Sequence, residues 1–346
     1  MRISLVAGLL AAALMLTACS SGESGGINVG TPSGDGSLFI ARIDGIVEMS
    51  LEDEATIVRV APASASEFFL DVAVSPAGDR IAFTVQPPPR TVDGRYDAGS
   101  DLWIANRDGS DARMVFQHVQ PSQLVRYPQW DGEDHLLAVI QEYREVEGLT
   151  QVDYTVQRID IATGARERIL DDALTYALSP DGRQIAYARL SPRIGEVFEV
   201  VDVPPGEPRT LVEPSQMLSP FNSPRYSPDG SRIAFASADQ RLAPPTPGGP
   251  SPEGPTPPTG VRPMVARNAA PLPDGLPQDV WIVDASGGVP AHIAPLQEDF
   301  PALTWSGDGT HIYAIGAYGL YDIDMTNGNW TRIGDGAFHA GIAWAP

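Results

Sequence analysis

Few of the residues that usually carry chemistry stand at spacings that would let them act together. The histidines are His118, His135, His292, His311 and His339. No two show the His-Xaa3-His kind of spacing that places two imidazoles on one metal. Scattered imidazoles of this kind read as structural or solvated groups. Cys19 is the only cysteine, so no disulfide forms within the chain. There is no lysine, and all 23 basic residues are arginine. Schiff-base and lysine acid–base chemistry are thereby excluded. No Gly-Xaa-Ser-Xaa-Gly elbow, phosphate-binding loop or dinucleotide fingerprint is present. Asp181, Asp229 and Asp308 lack the dense carboxylate spacing of a calcium loop. The expectation is a chain without a catalytic centre, metal or cofactor.

Those three aspartates belong to a repeated corner that organises the chain. Ser179-Pro180-Asp181-Gly182 stands between Tyr-Ala-Leu (176–178) and Arg-Gln-Ile-Ala-Tyr-Ala (183–188). Both flanks are apolar, aromatic or β-branched, as strands require. Proline presets φ, aspartate caps its own backbone and glycine accepts a positive φ, so the tetrapeptide predicts a hairpin corner. The corner recurs as Ser75-Pro76-Ala77-Gly78, Ser227-Pro228-Asp229-Gly230 and Ser306-Gly307-Asp308-Gly309, with a degenerate copy at Asp131-Gly132-Glu133-Asp134. Each precedes a strand-like run such as Arg-Ile-Ala-Phe (232–235), and each follows an apolar or aromatic residue: Val74, Trp130, Leu178, Tyr226 or Trp305. The intervals between corners are 56, 48, 48 and 79 residues. A period in the forties built from short strands marks propeller blades.

The repeat resembles the WD-like propeller repeat of the TolB family. Its second half, Asp-Ile-Trp/Tyr-Val-Xaa-Asp followed by a glycine turn, is matched by Asp-Leu-Trp-Ile-Ala-Asn-Arg-Asp-Gly (101–109) and Asp-Val-Trp-Ile-Val-Asp-Ala-Ser-Gly-Gly (279–288). Weaker copies stand at 157–164, 199–206 and 320–328. The resemblance covers nearly all of the chain after residue 36 and implies an all-β propeller with four-stranded antiparallel blades. Such scaffolds host many functions. Asp284-Ala285-Ser286-Gly287-Gly288 resembles a serine-protease nucleophile stretch, but within a blade it is only the turn between the third and fourth strands.

Five blades are expected at about 66–115, 124–170, 173–212, 221–293 and 299–333. Ser37–Arg42, followed by Asp44-Gly45, resembles the second half of a blade without its first half, and Phe338–Pro346 supplies the missing part, with Trp344 in the aromatic slot. Joining the two termini makes a sixth blade and closes the ring without a free sheet edge. With strands named a to d from the axis outward, the a–b corners and c–d turns lie on one face. The b–c connections lie on the other, and are expected to be long loops at 86–100, 141–153, 190–196 and 239–278. The last is proline-rich and suits a polyproline or irregular spacer, or an arm that docks a partner. Insertions gathered on one face mark the binding face of a repeat protein. On that face the inner strands begin with Asp71, Arg126, Asp172, Asn222, Asp299 and His339. This polar ring is the candidate site for a small ligand, a cation or a partner's peptide, or else a water-filled channel mouth.

The first 18 residues read as an export signal: Arg2, an apolar stretch from Leu5 to Leu16, and Leu16-Thr17-Ala18-Cys19. That tetrapeptide resembles the bacterial lipobox, which implies cleavage before Cys19 and a lipid on its sulfur. Residues 19–36 read as a flexible tether and 37–346 as the propeller. The formal charge of −21 argues against nucleic acid and anionic lipid surfaces as partners. The resemblance implies a monomeric, envelope-anchored lipoprotein, not an enzyme, that binds an envelope protein or glycan through its long-loop face. The α/β domain that precedes the propeller in TolB is absent. The alternatives are a polysaccharide lyase, for which the histidines would have to cluster, and a ligand sensor at the channel mouth.

Overall fold

The computed structural model describes residues 35–92, 94–146, 149–191, 195–241, 277–337 and 341–346. Period-2 apolar patterning between glycine corners makes short strands, and these pair in sequence order into six four-stranded antiparallel sheets. Blade 1 runs Phe68–Val74, Arg80–Gln86, Asp101–Asn106 and Arg113–Phe116. The inner strands of blades 2 to 5 are Leu124–Asp131, Thr175–Leu178, Asn222–Tyr226 and Ala302–Trp305. In blade 6 the C-terminal strand Ile342–Ala345 pairs with Ser37–Arg42, with Ser37 opposite Ala345. The ring is therefore closed by the two ends of the propeller, as the sequence predicts. Ser37–Arg42, however, is the second strand of its blade and not part of its second half, so the C-terminus supplies one strand and the N-terminus three.

The apolar core lies between blades, and each of the six blade interfaces has its own cluster. The second strand of each blade shows why. In Arg232–Ser237, Ile233 and Phe235 pack toward blade 3 while Ala234 and Ala236 pack toward blade 5. Ile-Ala-Phe thus presents bulk to one neighbour and an alanine socket to the other. Each fully buried large side chain contributes about 1.5–3 kcal/mol.

The inner strands turn a free edge toward the axis, and side chains from adjacent blades satisfy it. The indole Nε1 of Trp130 donates to Ala73 O at 3.4 Å, and that of Trp305 to Arg225 O at 3.1 Å. Gln129 bonds the blade 3 edge twice, donating to Tyr176 O and accepting from Leu178 N, both at 2.9 Å.

The corners form as expected. Ser179, Ser227 and Ser306 each donate a hydroxyl hydrogen to the corner aspartate. In the Ser-Pro-Ala-Gly copy the acceptor is Asp79, two residues later, at 2.9 Å from Ser75 Oγ. The corner prolines also stand in sequence around the ring. A side chain added at Gly230 would meet Pro180 and one at Gly309 would meet Pro228, while Pro346 takes this place beside Gly78. Bonds from Ser227 and Ser306, followed by backbone and hydroxyl bonds from Ser231 and Thr310, hold Asp229 and Asp308 at about 2. Because these pKa values are depressed on folding, their stabilisation is present above the ordinary carboxylate range and is lost as the pH falls toward 2. The urea midpoint of the chain is expected to fall between about pH 4 and pH 2. The D229N/D308N double variant is expected to start lower at neutral pH and to show a shallower acid decline.

All four long connections differ from plain loops or extend beyond what is described. Residues 86–100 contain a separate hairpin, Arg90–Val92 with Arg95–Asp97. Residues 141–153 are not a loop: His135–Val146 and Leu149–Asp160 pair continuously, with Tyr143 opposite Val152. The connection at 190–196 is likewise mostly strand, with Ser191 opposite Gly195. Cross-strand backbone bonds make a ladder wherever two polar, β-compatible runs face one another, even without a core to cover. Of the 239–278 insertion, residues 242–276 lie outside the described residues, as do residues 1–34 with the export signal, Cys19 and most of the tether.

Candidate functional site

The inner strands converge on a cavity of about 230 Å³ at the end of the channel where they begin. A second cavity, of about 240 Å³, lies on the corner side. Val72, Pro128 and Arg225 line both, which puts the Arg225 side chain at the waist between two chambers.

Strand alternation decides which residues reach these walls. One position before the pre-corner residue stand Gln129, Arg225, Thr304 and Ala343, all on the corner-side chamber. Three positions before it stand Asp71, Tyr127, Ser223, Ala302 and Gly341, all on the mouth chamber. Of the residues predicted from strand beginnings, Asp71, Arg126 and Asn222 line the mouth chamber. Asp172 is exposed, and neither it nor Asp299 belongs to that wall. His339 lies outside the described residues. The sequence reading missed Arg225, Ser223 and Tyr127. Counting back from the corner would have found them.

Asp71 is buried and accepts from Thr84 Oγ1 at 2.9 Å. Arg126 reaches it from the next blade through Nε at 2.7 Å and Nη2 at 3.3 Å. Burial works against the Arg126 charge, but Asp71 outweighs it and raises the arginine above its usual range. The Arg126 guanidinium also lies 4.8 Å over the Tyr127 ring. Arg225 is in the opposite situation. Burial lowers its pKa, and the more distant charge of Asp71 only partly offsets this. Its Nη1 donates to Pro224 O at 2.8 Å. Among the described residues no carboxylate stands within ion-pair distance of it.

The wall backbone is strained. Tyr127, Ser223 and Phe300 have φ of 57°, 45° and 46°, left-handed values that cost non-glycine residues about 1–3 kcal/mol each. Register shifts at Arg126/Gln129 and Asn222/Arg225 accompany two of them. Such bulges re-aim side chains at the rim of a sheet.

The histidines do not gather here. His118 is buried in blade 1, with Nδ1 2.6 Å from Asp101 and Nε2 3.2 Å from Asp97. Burial opposes the Asp97 charge, but the amides of Ser122 and Gly99, with Arg90 and His118, hold its pKa far below the ordinary range. His118 thereby rivets the 90–97 hairpin to the outer strands of its blade. His311 pairs with Asp322 at 2.7 Å, and His292 with Asp279 at 2.9 Å. Among the described residues no group of three or more histidine, cysteine or acidic side chains could hold a metal ion.

No family model matches the chain, and no curated protein matches it in sequence. Among solved structures it is similar to TolB from Acinetobacter baumannii, at 15% identity and a TM-score of 0.59 over 90% of this chain and 68% of that one. It is also similar to a protein from Agrobacterium tumefaciens assigned as TolB, at 16% identity and a TM-score of 0.52 over 91% and 99% of the two chains. An oligogalacturonate lyase in complex with manganese is a more distant likeness, with a TM-score of 0.48, and carries no weight for the chemistry. At these identities the likeness is one of fold: the chain is a six-bladed β-propeller with the architecture of TolB-type structures.

Proposed function

We propose that this chain is an exported lipoprotein, anchored through Cys19 in the cell envelope, and that its propeller is a non-catalytic scaffold binding an envelope protein or glycan. The observation that supports this reading most directly is a coincidence of position. The mouth chamber lies at the end of the ring where the inner strands begin, the same end from which the b–c connections leave, among them the 90–97 hairpin and the long hairpin of blade 2. Extended hairpins around a polar depression offer strand edges and pockets to a partner.

The test replaces Arg144–Gln151 with Asn-Gly, so that the Tyr143–Val152 pair closes on a two-residue turn. This variant is expected to melt like the parent and to lose in-cell cross-links to its envelope partner. Cys19→Ser is expected to move the protein from the membrane fraction to the soluble one. Cross-links that survive shortening of the hairpin but vanish when the corner face is altered would place the binding face at the other end.

A further inference from the structure

The mouth chamber carries one positive charge more than its described residues balance. Asp71 is occupied by Arg126 at 2.7 Å, which leaves the Arg225 guanidinium without a carboxylate among the described residues. A guanidinium presents five N–H donors in a planar fork, and here Nη1 reaches the Pro224 carbonyl. Arg225 is half-buried, and withdrawing an uncompensated cation even partly from water is costly; the chain as a whole has a large excess of carboxylates, with a net charge of −21. Beside Arg225, Ser223 Oγ already accepts from Leu303 N at 2.8 Å, so its hydrogen remains available to donate. Val72, Pro128, Phe300 and Pro301 make the rest of this wall largely apolar.

We propose that the mouth chamber binds a small monocarboxylate, gripped by the Arg225 fork, with its apolar body against Pro128 and Phe300. The parallel N–H pair of a guanidinium matches the two oxygens of a carboxylate. One negative charge brings the Arg126, Arg225 and Asp71 group to neutrality. A dianion such as phosphate would overshoot it and face Asp71 across the cavity. The carboxylate has two possible sources, a free short-chain acid or the C-terminal residue of a peptide, and both present the same group. The inference rests on reading this end of the ring as the binding face, but it requires no protein partner.

Calorimetric titration of the full chain with isovalerate, its neutral amide isovaleramide, inorganic phosphate and acetyl-Gly-Val tests it. Saturable binding of isovalerate is expected, weaker by at least about tenfold for the amide. Arg225→Met should weaken isovalerate by a similar factor while melting no lower than the parent, because it removes a half-buried, unpaired charge. Arg225→Lys keeps the charge but loses the fork, and should fall between the two. Tighter binding of acetyl-Gly-Val than of isovalerate assigns the carboxylate to a peptide end, and the reverse assigns it to a free acid. The proposal is overturned if isovalerate does not saturate, if the amide or phosphate binds equally well, or if Arg225→Met binds like the parent. Loss of cross-linking in the shortened-hairpin variant is independent of these titrations, so failure of the scaffold reading and failure of this one are told apart.

Discussion

Replacing His118 by alanine is expected to cost about 3–5 kcal/mol of stability, the usual loss when a buried carboxylate is left uncompensated. The imidazole is almost fully enclosed and lies between two buried carboxylates, 2.6 Å from Asp101 and 3.2 Å from Asp97. The two partners would be affected unequally. Asp97 keeps Arg90 Nε at 3.0 Å and the amides of Gly99 and Ser122 at 3.1 and 3.0 Å. Asp101 keeps only the His118 amide at 2.9 Å and would be a buried charge with one donor. Asn at position 101 in the alanine background should therefore recover part of the loss, whereas Asn at 97 should not. Gly99 completes the enclosure, since a Cβ there would lie 2.4 Å from the imidazole. Chemical denaturation of the single and double variants checks the prediction. A loss below about 1 kcal/mol, the scale of a solvent-exposed pair, would show that the rivet is not formed.

The second large effect is counterintuitive. Gly307→Pro restores the repeat's own Ser-Pro-Asp-Gly corner, and a proline in a compatible turn usually stabilises by about 0.4–1 kcal/mol. Here it is expected to destabilise by about 1–3 kcal/mol, the cost of overpacking a filled site. A Cβ at Gly307 would lie 2.3 Å from the Trp344 ring. That indole cannot easily yield, because its Nε1 donates to Asp35 O at 3.0 Å and its strand carries the ring closure. At Gly307 glycine occupies the proline position because the C-terminal strand lays a tryptophan over it. Equilibrium denaturation of Gly307→Pro, Trp344→Ala and the double variant forms the measuring cycle. A favourable coupling that cancels most of the Gly307→Pro penalty in the Trp344→Ala background is expected. A Gly307→Pro variant as stable as the parent would refute the packing account.

Much of the fold was legible because it is written locally. Each corner needs only serine, proline, aspartate and glycine in order, and each strand only an alternation of large and small apolar residues. Both are short-range properties that survive without knowledge of the neighbours. Ring closure was readable for a related reason, because each terminus carries an incomplete blade, although the division into one C-terminal and three N-terminal strands came only from the pairing. The 141–153 segment misled because its polar residues bury nothing. Its strands exist through backbone pairing with one another, and apolar periodicity does not report that. His118 was read as structural, but its partners stand 17 and 21 residues away in sequence and meet it only when the 90–97 hairpin folds back.

The amino-acid sequence alone determined six blades, their corners, the shared last blade and the face on which the connections emerge. Tertiary structure decided which polar side chains meet at the axis. Bulges in blades 2 and 4 bring sequence neighbours, Arg126 with Tyr127 and Asn222 with Ser223, onto the mouth wall together, while Asp172 and Asp299 stay off it. Where a charge finds a partner depends on two strands from different blades at once. No single repeat of the sequence contains that information.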